Sequence, residues 1–249
     1  MNTRLLLRNG YIWLIFLSWT AFCLPCGYVL AIVCRIIDHT TPHTLMRRGI
    51  YWYGRLLLFF ISPAVPTQTI RKQGIQNCQR ILILNHQSML DIYLIGLQSC
   101  SNICLVSKSW PYRLLFFFSP MMRAAQYIDA ERLDAQTVFA RCQKRLEEGA
   151  TLVFYPEGRR SRDGGLQRFH AGAFYLAARL GIGVTPIVIH NSFRILPPQT
   201  FLFQRGTLVV EILPDIHPQD FQREPVPHRS MMRATHAVFK KHLAQRSLS

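Results

Sequence analysis

The sequence predicts an α/β fold: a mostly parallel sheet flanked by helices, with an N-terminal membrane-associating helical segment. Three observations carry this expectation. Strand-like and helix-like stretches alternate from about residue 67 onward, the pattern of βαβ units. Residues 80–84, Arg-Ile-Leu-Ile-Leu, form a buried β-run that stops at Asn85-His86. Residues 11–34 carry no charge at all. A domain boundary is expected at 65/66, with anchor and interfacial helices in 1–65 and the α/β domain in 66–249.

The uncharged run is too long for a signal-peptide core of about 7–15 residues and suits a membrane helix of about 20. Pro25 and Gly27 interrupt it. It is therefore either one kinked spanning helix or a re-entrant hairpin; basic residues on both flanks (Arg4, Arg8, then Arg35, Arg47, Arg48) lean toward the hairpin. Residues 50–65, with Arg55 inside and Ser62-Pro63 at the end, read as an interfacial helix, with a buried core helix as the alternative. Residues 69–72 read as a strand and Gly74 as a turn. Ser88 is a plausible N-cap for a helix over 88–98. Further strands are expected at 102–107, 126–129, 151–155, 184–190 and 207–213. Helices are expected at 133–148, where Gly149 is the stop, at 170–180, and after Pro225 and Pro227 over 228–245.

Composition narrows the function. The chain has 249 residues, 49% hydrophobic and 17% charged, which excludes intrinsic disorder. Lys and Arg number 29 against 13 acids, a net charge of +16. A basic chain with an apolar N-terminus points to an anionic phospholipid membrane or anionic substrates. Nucleic acid is the competing reading of the charge. Seven cysteines, an odd number, argue against a disulfide framework, and Cys23-x-x-Cys26 in an apolar run reads as inert filling.

Two blocks carry chemistry. In Asn85-His86-Gln87-Ser88-Met89-Leu90-Asp91, a histidine leaves the carboxyl end of a strand and an aspartate follows five residues on. Ligands in open α/β sheets bind beyond those strand ends. His86 has the properties of a general base, and Asp91 can orient it. No Gly-x-Ser-x-Gly elbow is present, so the hydroxyl to be activated belongs to the substrate. Taken alone, the pair reads equally well as a satisfied core histidine and a helix-start aspartate. The second block, Tyr155-Pro156-Glu157-Gly158-Arg159-Arg160-Ser161, also follows an apolar strand. Its arginines suit phosphate, and Gly158 allows close backbone approach.

Together these blocks resemble the glycerolipid acyltransferases, typified by 1-acylglycerol-3-phosphate (lysophosphatidic acid) acyltransferases, with their N-H-x-S-x-x-D and F-P-E-G-T-R-S motifs. Two weaker blocks fall in order: Lys108 and Pro111 followed by Tyr127-Ile128-Asp129, then Val184-Thr185-Pro186-Ile187. The similarity spans about residues 65–215. It implies acyl transfer from acyl-CoA or acyl-carrier protein to a lysophospholipid hydroxyl, with 1-acyl-sn-glycerol-3-phosphate as acceptor. His86 and Asp91 are then catalytic, and Glu157, Gly158, Arg160 and Ser161 bind substrate. No cofactor, metal or nucleic-acid partner is implied. The location implied is a membrane with the site facing the cytoplasm, the inner or plasma membrane in a bacterium. Arg159 stands where the family has Thr or Ser, Asp129-Ala130 replaces an early Arg, and Phe169-His170-Ala171-Gly172 replaces a motif that often carries Lys. These departures surround the acceptor site and leave another lysolipid open. The competing classes are a lipid hydrolase and a non-catalytic basic protein that coats anionic lipid or binds nucleic acid.

Overall fold

A computed structural model describes residues 3–37, 40–71 and 80–246. Two long helices come first: α1 (Thr3–Ile36) and α2 (Thr40–Ile61). Seven strands follow, β1 (Thr67–Arg71), β2 (Ile81–Leu84), β3 (Ile103–Ser107), β4 (Ile128–Asp129), β5 (Thr151–Phe154), β6 (Val184–His190) and β7 (Leu208–Ile212). Between and after them run α3 (Trp110–Leu114), α4 (Ser119–Ala124), α5 (Ala135–Glu147), α6 (Gly172–Leu180), α7 (Ser192–Ile195) and α8 (Pro227–Arg246). The strands form one sheet in the order β1-β7-β6-β2-β5-β3-β4. All pairings are parallel except β6 with β7.

The central strands are buried on both faces, which is why they read as unbroken apolar runs. Alternation divides their side chains between two cores. Leu82 and Leu84 of β2 join Leu57, Leu58 and Tyr53 of α2 on one face. Ile81 and Ile83 join Cys142 and Leu146 of α5, Phe174 of α6 and Phe239 of α8 on the other.

Three expectations about helices change. First, α1 continues through Pro25 as one helix, so the hairpin is not formed. Hydrogen bonds from Tyr11 to Phe60 O (2.6 Å), Trp19 to Tyr53 O (3.0 Å) and Tyr28 to Phe117 O (2.9 Å) hold it along its length. Second, α2 begins ten residues before the expected interfacial helix, with Pro42 tolerated in its first turn. Third, the expected helix at 88–98 is two 3-10 turns, Met89–Ile92 and Leu94–Leu97. A Cβ at Gly96 would lie 2.6 Å from Arg55 N, so this segment is pressed flat against the backbone of α2. Lys72 and Gly74, assigned to a strand and a turn, lie outside the described residues. Cys100 is disulfide-bonded, although the odd cysteine count argues against a disulfide framework, whereas Cys23, Cys26, Cys34, Cys104 and Cys142 are free.

Candidate active site

The site lies beyond the carboxyl ends of β2 and β5. Asn85 ends β2 with a side chain that acts as another rung of the ladder: Nδ2 donates to Ile189 O (2.9 Å) and Oδ1 accepts from Ile189 N (2.8 Å). The chain then turns, and Ser88 caps the first 3-10 turn in a reciprocal capping box with Asp91. That geometry aims Asp91 back at the strand end. Its Oδ2 accepts from Gln87 N (2.6 Å), Ser88 N (2.7 Å) and His86 Nδ1 (2.9 Å). With Nδ1–H donated to Asp91, the lone pair of His86 is on Nε2. The imidazole rests against the Tyr155 ring, 4.4 Å between centroids, and the Tyr155 hydroxyl donates to Asp91 O (2.9 Å). Burial and the nearby Asp91 charge hold that phenol well above its usual range, so it stays a donor.

The second block clasps the first. Glu157 Oε1 accepts from His86 N (2.7 Å) and Oε2 from Gln167 N (2.8 Å). Ser161 N donates to His86 O (2.8 Å), and its hydroxyl donates to Asp163 Oδ1 (2.8 Å). Both peptide groups of His86 are thereby fixed by Glu157 and Ser161, four residues apart. Burial pushes the Glu157 carboxyl up to about 7, against the opposing pull of its two amide donors.

His86 opens into a cavity of about 810 Å³. Its lining takes Tyr51, Tyr53 and Gly54 from α2, Tyr93 from between the 3-10 turns, and Phe118. Lys108, Arg159 and His170, all exposed, stand at its solvent end. Gly158 has φ +67°, and a Cβ there would sit 3.1 Å from His170 Cδ2 and 3.2 Å from Lys108 Cε. This combination of a His-Asp pair, an apolar slot and a cationic mouth coincides with a match of residues 69–190 to the Acyltransferase family model.

Residues 69–190 are an acyltransferase-family domain.

Relatives include the chloroplastic 1-acyl-sn-glycerol-3-phosphate acyltransferase LPAT1 of Arabidopsis thaliana, 30% identical over 211 residues, covering 79% of this chain and 58% of the relative. The human 1-acyl-sn-glycerol-3-phosphate acyltransferase beta is 27% identical over 229 residues, covering 86% and 79%. The chain spans only a little over half the length of the plant relatives it matches, 58% of LPAT1 and 54% of the Brassica napus protein BAT2. Its fold is that of the crystal structure of the 1-acyl-sn-glycerophosphate (LPA) acyltransferase, PlsC, from Thermotoga maritima, with TM-score 0.70 at 18% identity over 98% of this chain and 97% of that one.

Within this acyltransferase-family site, the structure brings His86, Asp91, Glu157, Gly158 and Ser161 together. Glu157 and Ser161, expected to touch substrate, have their polar atoms committed to the His86 loop and its own turn. Arg160 stacks over the Trp110 ring at 5.7 Å, while Arg159, read from sequence as a departure, lines the cavity. Lys108 and His170 join it there. The sequence signal for these two was weak: Lys108 lay in a minor block, and a lone histidine before a helix usually reads as structural. Among the described residues, no cluster of three or more His, Cys, Asp or Glu is placed to hold a metal.

Proposed function

We propose that this protein transfers a fatty acyl group from acyl-CoA or acyl-carrier protein to the free hydroxyl of 1-acyl-sn-glycerol-3-phosphate, giving phosphatidic acid. The observation that carries the reading is the Asp91-held His86, whose free Nε2 faces an apolar cavity with a cationic mouth. Nε2 takes the proton of the acceptor hydroxyl as its oxygen attacks the thioester carbonyl. The tetrahedral adduct collapses, the C–S bond breaks, and the thiolate leaves with the proton from His86. Asp91 stabilises the imidazolium between these steps. The acyl chain occupies the slot under α2, and Lys108 and Arg159 take the acceptor phosphate. Gly158 keeps a side chain out of that approach. Glu157 and Ser161 position His86, and Arg160 braces Trp110 at the cavity wall.

The reaction takes place at an anionic phospholipid membrane, with the site facing the cytoplasm. α1 is long and apolar enough to cross a bilayer, and Leu7, Leu14, Phe22 and Val29 are among its exposed side chains. The test is a labelled acyl thioester offered to membranes holding this protein, with a panel of lysolipids and a His86→Ala control. Labelled phosphatidic acid that disappears in the control supports the proposal. Transfer only to another lysolipid keeps the chemistry and moves the acceptor. No transfer from either thioester class overturns both.

A further inference from the structure

On the side of the molecule where α1 begins, the loop 196–207 between α7 and β7 is tied to the helix. Asn9 pairs with Phe203 as a backbone would: Nδ2 donates to Phe203 O (3.1 Å) and Oδ1 accepts from Phe203 N (2.7 Å). Trp13 Nε1 donates to Phe201 O (2.9 Å), with the two rings 6.0 Å apart, and Arg8 also donates to Phe203 O. These bonds hold an apolar tip outward. Phe201 is 75% exposed and Leu202 40%, beside Leu6 at 45% and Leu7 at 71%.

The surroundings of this tip are cationic. Arg205 acts on Arg8 as a neighbouring like charge, and neither forms an ion pair with a carboxylate among the described residues. Arg8 Nε is a buried donor with no hydrogen-bond partner. Arg194 lies exposed on α7 just before the loop, and residues 191–210 contain no acid. Two neighbouring guanidinium groups, the Arg205 one exposed, are the complement of a phosphate, and the exposed aromatic and aliphatic side chains of the tip are the complement of acyl chains.

We propose that the Phe201–Leu202 tip and the Arg8–Arg205 pair form a second membrane contact that docks on an anionic phospholipid surface. The apolar tip enters the leaflet, and the arginines hold a headgroup phosphate. This deepens the membrane part of the proposed function and does not depend on the acyl-transfer chemistry. It also gives the membrane a direct connection to the site: Ser88, the cap of the turn that carries Asp91, donates its hydroxyl to Leu196 O (2.8 Å) at the start of this loop.

The test uses the full chain as wild type, Arg205→Ala and Phe201→Ser/Leu202→Ser. Vesicles are of phosphatidylcholine alone or with about one third phosphatidylglycerol, and binding is read by flotation. Each cation near an anionic surface is worth about 1 kcal/mol, so Arg205→Ala should cut the preference for anionic vesicles about fivefold. The double serine variant should weaken binding to both vesicle types. Amide exchange over 198–206 should slow in anionic nanodiscs relative to zwitterionic ones. Unchanged partition in both variants, or equal exchange in the two lipids, overturns the proposal. Acyl transfer in detergent micelles is measured in parallel. If wild type lacks it there while docking behaves as expected, the reaction is wrong and the surface stands.

Discussion

His86 is held from three directions, and each restraint has a separate consequence. Asp91 fixes the ring, Glu157 and Ser161 fix its peptide groups, and Tyr155 supports its face. Removing the ring in His86→Ala should lower turnover at least about 10²-fold, the usual worth of a positioned general base, with the thermal midpoint nearly unchanged. Wild-type turnover in that variant would take His86 out of the reaction. Glu157→Gln tests the clasp. An amide has only one oxygen, so its NH2 must oppose either His86 N–H or Gln167 N–H. Turnover should fall about tenfold or more while the acceptor KM holds; a raised KM with unchanged turnover would instead make Glu157 a substrate contact. The same residue sets a pH dependence. Its carboxyl, ordinarily at 4.5, is raised to about 7 by burial. The fold therefore favours the protonated form, and its ionisation makes stability fall as pH rises from about 4.5 through about 7. Melting wild type and Glu157→Gln side by side at pH 5 and pH 8 should show wild type losing ground to the variant at the higher pH. Parallel behaviour would show that the carboxyl is not perturbed.

At the scale of elements, apolar texture was a good guide wherever burial decides structure. The β2, β5 and β6 runs were readable because both faces of those strands are covered, and Gly149, with φ +74°, ends α5 as expected. The antiparallel placement of β7 beside β6 was not readable, since pairing depends on the return path of the chain. The segment after Ser88 misled for a different reason. Its N-cap, Ser88, was visible, but the contact that flattens the segment at Gly96 comes from Arg55 of α2, forty-one residues earlier. The candidate site was legible as two blocks, yet not as one object, because Glu157 and Ser161 act on the peptide groups of His86 and sequence reading considers side chains. Gly96 makes the element-scale prediction. Gly96→Ala puts a methyl group 2.6 Å from Arg55 N, where only backbone can yield. The expected cost is about 1–3 kcal/mol in a denaturant titration, along with altered acyl-chain preference because both segments line the cavity. A midpoint equal to wild type would mean that α2 and the turns slide freely.

For the whole molecule, the question is whether the two N-terminal helices are an appendage or part of the fold. Arg47, read in the sequence as one of several flanking positive charges, is fully buried. Nε donates to Asn102 Oδ1 (2.6 Å), Nη1 to Ala125 O (3.1 Å), and Nη2 to Thr44 Oγ1 (3.1 Å) and Glu148 Oε2 (3.3 Å). One guanidinium thus joins α2 to the turn before β3, the end of α4 and the end of α5. Charge counting has no means of separating such a residue from a membrane-flanking arginine, because its partners outside α2 are 55 to 101 residues away. Tyr53, Leu57 and Leu58 of α2 and Ile12 of α1 share a core with Leu82, Leu84 and Val153 of the sheet. A chain begun at residue 66 therefore loses one wall of that core. Arg47→Met removes the charge while keeping most of the volume, and it strands the acceptors on Asn102 and Ala125. Breaking a buried charged network in this way costs about 3–5 kcal/mol. If the helices and the sheet are one cooperative unit, the variant should still unfold in a single transition at a lower midpoint, with far-UV ellipticity and cavity-tryptophan fluorescence moving together. Two separated transitions, with the sheet melting as in wild type, would show instead that α1 and α2 fold apart from the domain they cover.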